Sequence, residues 1–199
     1  DACGKDTAIM QMLLKTGVDP NPRKMPLGSI PLRNEIMYGQ ASGVRILLEA
    51  GADPCLLDAT GSTLMHKAAA HDLANSMQLF LEFGADITLR NSFGNTPFMN
   101  AALCGSPECL EILLAAGANI LDVDDHGCTA LHLAARSGKE SMVRRLLELG
   151  LDISARDGSG RTPMRWAVEY GQTGVVHILE DAQTSRLKKA IERMCIRRS

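Results

Sequence analysis

His66 and His132 stand 66 residues apart at equivalent places, each three residues after a threonine, Thr63 or Thr129. A histidine beside a hydroxyl is raw material for a nucleophile–base pair, and Cys128 immediately precedes Thr129. No third group in the local sequence completes a nucleophile–base–orienter set, and a neutral imidazole beside a helix start satisfies local polar groups. The structural reading of both histidines is therefore preferred. The six cysteines, Cys3, Cys55, Cys104, Cys109, Cys128 and Cys195, are scattered without a CxxC pair, and none has a histidine at zinc-ligand spacing. They read as reduced thiols of an intracellular protein, cytoplasmic or nuclear. Gly158-Ser159-Gly160 lacks the Lys-Ser/Thr ending and preceding strand of a phosphate loop. Asp124–Asp125 reads as the opening of a turn. The expectation is no enzyme, no metal and no cofactor.

Composition narrows the partners. A net charge of −2 gives no pull toward nucleic acid or anionic membrane. No apolar run approaches the roughly 18 residues that a membrane span needs. The first residues, DACGKDTAIM, show no basic region followed by an apolar stretch, so no signal peptide is read there. With 45% hydrophobic but 4% aromatic residues, the core must rest on Leu, Ile, Ala and Met, a composition that favours helices.

What positions these residues is a period of 33. Gly28, Gly61, Gly94, Gly127 and Gly160 are spaced by 33, and Thr63, Thr96, Thr129 and Thr162 follow two places after the last four. Small pairs come next at Ala68–Ala69, Ala101–Ala102 and Ala134–Ala135, loosening to Ala167–Val168. A second glycine closes each unit at Gly51, Gly84, Gly117 and Gly150. Each unit reads as two short helices and a turn. The threonine caps the first helix, Gly105, Gly138 and Gly171 end it, and an apolar second helix follows with Leu113–Leu114 or Leu146–Leu147 in its last turn. Leu114 and Leu147 are expected in the core. One unit cannot bury its apolar side alone, so the units must stack into an all-α solenoid.

At GCTALHLAARSG, GSTLMHKAAAHD and the GADI, GANI and GLDI turns, the chain resembles the ankyrin repeat. The resemblance covers about residues 8–181. It implies an ankyrin-repeat solenoid of helix-turn-helix units with hairpin tips, forming one domain over 1–199. A partial repeat occupies 1–20, and a degenerate unit spans 21–57, where SIPLRNEIMYGQ lacks the threonine and the Ala pair. Repeats at 58–90, 91–123, 124–156 and 157–183 follow. A separate capping helix is expected over 184–199. Thr184 or Ser185 would cap it, with Leu187, Ala190, Ile191, Met194 and Cys195 on one face and Arg186, Lys188, Lys189 and Arg193 on the other. The chain reads as starting inside a repeat of a longer protein. In the resemblance, the histidine of the TPLH-like tetrapeptide belongs to a structural hydrogen-bond arrangement.

The resemblance also implies protein binding on a concave surface of hairpin tips and first helices. The residues that vary there are the expected site: Met37, Tyr38, His71, Phe93 and Leu103 toward the amino side, and Arg136, Arg156, Arg161, Trp166 and Tyr170 toward the carboxyl side. Exposed aromatics and arginines are common interface anchors. The leading expectation is a monomeric, non-enzymatic scaffold for a protein or extended peptide, without nucleic acid or membrane. An accessory domain of a larger enzyme or channel is the second reading. A methyl-lysine reader is the third, since Trp166 and Tyr170 lie one helical turn apart.

Overall fold

The computed structural model describes residues 2–21, 31–37, 41–58 and 60–196. These form helices α1 (Ala2–Lys15), α2 (Pro31–Met37), α3 (Ala41–Glu49), α4 (Leu64–Ala70), α5 (Ala74–Glu82) and α6 (Pro97–Cys104). They continue with α7 (Pro107–Ala115), α8 (Ala130–Arg136), α9 (Glu140–Glu148), α10 (Pro163–Glu169) and α11 (Thr173–Ile196). No β-strand occurs among the described residues, and the one sheet-like pairing there is an isolated bridge between Val123 and Thr129.

Local chemistry starts and stops these helices where the period places it. The hydroxyls of Thr63, Thr96 and Thr162 accept from the backbone N–H groups of His66, Met99 and Arg165, and Pro97 and Pro163 fill first helical positions that need no donor. Gly105, Gly138 and Gly171 end α6, α8 and α10 with φ of +77°, +68° and +68°. In the repeat before them the same place is held by Asp72, at φ +53°. An aspartate tolerates this conformation, and here its Oδ1 accepts from Cys109 N–H at 3.0 Å. Asp72 thus caps α7 of the next repeat, a task that the Ser106 side chain does not perform.

The shorter helices α2, α4, α6, α8 and α10 pack in succession as an inner layer. The longer α1, α3, α5 and α7 do the same as an outer layer, with α9 on α11 beyond them. Arg145 spans the outer layer from α9 to Glu111 of α7, with Nε at 2.6 Å from Oε1. The alanine pairs of α4, α6 and α8 are fully buried, so adjacent inner helices approach closely. Leu47, Phe80, Leu113, Leu146 and Leu179 hold one register of the outer helices, each no more than 1% exposed. Leu114 and Leu147 are only partly buried, contrary to expectation. Successive residues diverge by about 100° around a helix, so one member of each Leu pair faces the inner layer and the other turns away.

The carboxyl end also differs. The second helix of the last repeat does not stop near 183; α11 continues from Thr173 to Ile196 without a separate cap helix. No glycine or proline breaks it after Gly174, and Thr184 Oγ1 donates back to Glu180 O at 2.9 Å, bonding within the helix where a cap was expected. Arg186 is not a free solvated charge either, because it donates to Leu151 O at 3.0 Å and pairs with Asp152 at 3.6 Å.

Candidate functional site

The inner layer and its preceding turns carry the variable residues. Each turn is built on a side-chain oxygen. Oδ1 of Asp58 accepts from the N–H groups of Thr60 and Ser62, and Oδ1 of Asn91 accepts from Phe93 and Asn95. Asp124 and Asp157 repeat the pattern with His126 and Cys128, and with Ser159 and Arg161. Turns join along the stack as Ser92 N–H donates to Thr60 O, Asp125 N–H to Phe93 O and Gly158 N–H to His126 O. With its own backbone so committed, the tip holds Phe93 outward, 60% exposed.

His66 and His132 fix these turns to the helices. Thr63 N–H donates to His66 Nδ1 at 3.2 Å, which places the ring proton on Nε2, and Nε2 donates to Asn95 O of the next repeat at 2.9 Å. His132 does the same between Thr129 N–H and Arg161 O, at 3.2 and 3.0 Å. Thr63 Oγ1 lies 2.8 Å from His66 Nδ1, a nucleophile–base distance, yet both residues are buried and the far ring nitrogen is already bonded. Burial depresses both imidazole pKa values, despite the opposing backbone bonds to Asn95 and Arg161. Burial, reinforced by Asp124 and Asp157, pushes the Cys128 thiol up to about 12. Cys109 is likewise pushed to about 12, by burial and then Asp72. Such thiols are poor nucleophiles at neutral pH.

Toward the carboxyl side, Trp166 is the hub. It is 6% exposed, its Nε1–H donates to Asp157 Oδ2 at 2.8 Å, and Tyr170 stacks on it with centroids 5.8 Å apart and planes 15° apart. The guanidiniums of Arg161 and Arg136 lie 4.8 and 5.3 Å from the indole centroid. Asp157 Oδ2 also accepts from Arg161 Nε at 2.9 Å. Burial alone would raise the Asp157 pKa, but the bonds from Arg161, Trp166 and Ser159 outweigh it and hold the carboxyl at about 2.

The expected site residues therefore divide. His71, Phe93, Arg156 and Tyr170 are exposed, and Arg136 is half-buried. Leu103 packs partly against the core, and Trp166 is a buried platform instead of an exposed contact. Arg161 is neutralised by Asp157, with Glu169 at 3.7 Å. Met37 closes α2 with its side chain outside the described residues, and Tyr38 lies outside them altogether. Sequence reasoning passed over Asp157, the support of Trp166, and the exposed Leu121 and Val123. The ladder Cys55, Thr88, Leu121, Ser154 would have flagged Leu121, and the ladder Leu57, Arg90, Val123, Arg156 would have shown two apolar members, Leu57 and Val123, alternating with arginines.

Among the described residues no group of three or more His, Cys, Asp or Glu is arranged to hold a metal ion, and no helix is long and apolar enough to cross a membrane. A family model described as ankyrin repeats (3 copies) matches residues 32–124, 65–157 and 121–186. A search of curated proteins finds no match.

Proposed function

Since the chain belongs to the ankyrin-repeat family, whose domains are generally protein–protein interaction modules and typically not catalysts, we propose that it is a non-enzymatic binding module. It takes up a protein or extended peptide on the concave face formed by the inner helices and turn tips. The carrying observation is Phe93, a large apolar side chain 60% exposed on a turn whose backbone N–H groups are all bonded. A rigid tip that displays an aromatic ring loses little conformational freedom when a partner covers it. The face runs from this apolar tip to the arginine and tyrosine surface around Trp166. The module works as a cytoplasmic or nuclear monomer.

The catalytic alternative draws little support from the Thr–His pairs, because Thr63, His66 and His132 are buried, and Cys109 and Cys128 are buried as well. The methyl-lysine alternative loses support at Trp166, where two guanidiniums already flank the indole and would repel a further cation. Affinity capture with the chain, followed by mass spectrometry, would identify the partner, and hydrogen exchange of the complex would then map its footprint. Added protection on 91–95 and the ends of α6, α8 and α10 is expected. Protection confined to α5, α7 and α9 would refute the concave-face reading.

A further inference from the structure

Two arginines, Arg161 and Arg136, lie on Trp166, and Arg156 and Arg165 are near it in the sequence; of the four, three are already committed. Arg161 pairs with Asp157 at 2.9 Å, Arg165 pairs with Glu169 at 2.7 Å, and Arg156 Nη1 donates to Gly160 O at 2.8 Å. The Arg136 guanidinium makes no hydrogen bond or ion pair within the described residues. It is nevertheless well placed. Its Cζ lies over the Trp166 ring, 5.3 Å from the centroid, and its backbone carbonyl accepts from Gln172 Nε2 at 3.0 Å. A guanidinium held against a ring keeps its pre-organised fork of donors and loses less freedom on binding than a solvated arginine. Tyr170, 53% exposed, offers an aromatic surface on the same indole.

Resting on the concave-face reading above, we propose that Arg136 is the receptor for one aspartate or glutamate side chain of the extended partner, while an adjacent apolar residue of that partner rests on Tyr170. A planar guanidinium matches a carboxylate in a two-bond fork, and a carboxylate shielded by Trp166 and Tyr170 forms a stronger bond than one in open water. A doubly charged phosphate would call for a second free guanidinium. Arg161, the other arginine on the indole, is not free, because Asp157 and Glu169 take up its charge. The chemistry therefore favours a singly charged acid.

The test is selection of random twelve-residue peptides displayed on phage against the 199-residue chain, in parallel with Arg136→Gln, Arg136→Lys and Phe93→Ala. Wild-type selection should return peptides with Asp or Glu at a fixed spacing from an apolar residue. Changing that acid to its amide should weaken binding by about tenfold, the size expected of a charge-assisted bond. The same change should have no further effect on Arg136→Gln, and an intermediate one on Arg136→Lys, which keeps the charge and the stem but loses the fork. Arg136→Lys also serves if Arg136→Gln disturbs the packing on Trp166. Peptides that lose affinity on Phe93→Ala but show no acid preference, or an acid preference unchanged in both Arg136 variants, would overturn the receptor and leave the concave-face reading standing. Failure to recover any binding peptide, or peptides indifferent to every one of these substitutions, would overturn both.

Discussion

The turns at Asn91 and Asp157 share one architecture and serve different ends. In both, Oδ1 accepts from the N–H groups two and four residues ahead. The difference lies in the second side-chain atom. Asp157 has an Oδ2 that binds the Trp166 indole and Arg161, so its turn draws an aromatic ring inward and lays arginines over it. Asn91 has an amide nitrogen there, the register of Trp166 is held by Asn100, and the aromatic residue sits instead at the exposed tip, Phe93. The first oxygen keeps the repeat; the second atom and the residues it recruits set the chemistry of the surface above it.

The largest effect should come from what the two regions have in common. Leu113→Ala or Leu146→Ala, each removing a fully buried side chain, should destabilise the chain by about 2–5 kcal/mol in urea denaturation. Because repeats couple mainly to their neighbours, the loss should spread along the stack. The partly buried Leu114 and Leu147 should cost distinctly less. Equal losses at 146 and 147 would show that the facing register of α9 is wrong.

Next comes the difference between the turns themselves. Asn91→Ala and Asp157→Ala each remove two turn bonds, but only the second also strips Trp166 and Arg161 of their partner. Asp157→Ala should therefore cost about 1–3 kcal/mol more, and it should shift the tryptophan fluorescence. Equal costs would mean that Oδ2 contributes nothing.

Lowering the pH should act where the histidines bind. Both folded imidazoles titrate below the ordinary value of 6.5, so the unfolded chain takes up protons that the folded chain refuses. Stability is fully present above 6.5 and falls as the pH drops below it. Asp58 and Asp157, both depressed, add a second loss below the ordinary carboxylate value of 3.8. Denaturant midpoints between pH 7.5 and 5 would record the histidine contribution, and a His66→Asn, His132→Asn double variant should flatten it. A midpoint that rises on acidification would contradict the neutral, hydrogen-bonded imidazoles.

The stability effect of Phe93→Ala should be the smallest, within about 0.5 kcal/mol, since an exposed side chain supports little of the fold. Its effect on binding should be larger, at least about 1 kcal/mol.

The repeat frame was legible because it rests on local rules with a fixed period. The threonine caps, the positive-φ glycines and the alanine pairs each declare themselves in sequence. What escaped depended on neighbours in space. Whether Leu113 or Leu114 faces inward turns on about 100° of helix rotation, which an adjacent pair does not reveal. The stop expected near 183 rested on a threonine that bonds backward along α11 instead. Trp166 stands in the same register as Asn100, yet it is buried because Asp157 nine residues earlier meets its indole N–H. The pairing of Arg161 rests on the same carboxylate.

The central claim is that specificity sits on the turn tips and inner helices, and one measurement addresses it directly. Calorimetric titration of the captured partner into Phe93→Ala/Arg136→Glu and into Glu148→Ala compares the inner face with α9 of the outer layer. The account predicts at least a tenfold loss for the double variant, slower association at low salt and little change for Glu148→Ala. Undiminished binding by the double variant together with a loss at Glu148→Ala would move the working surface to the outer helices.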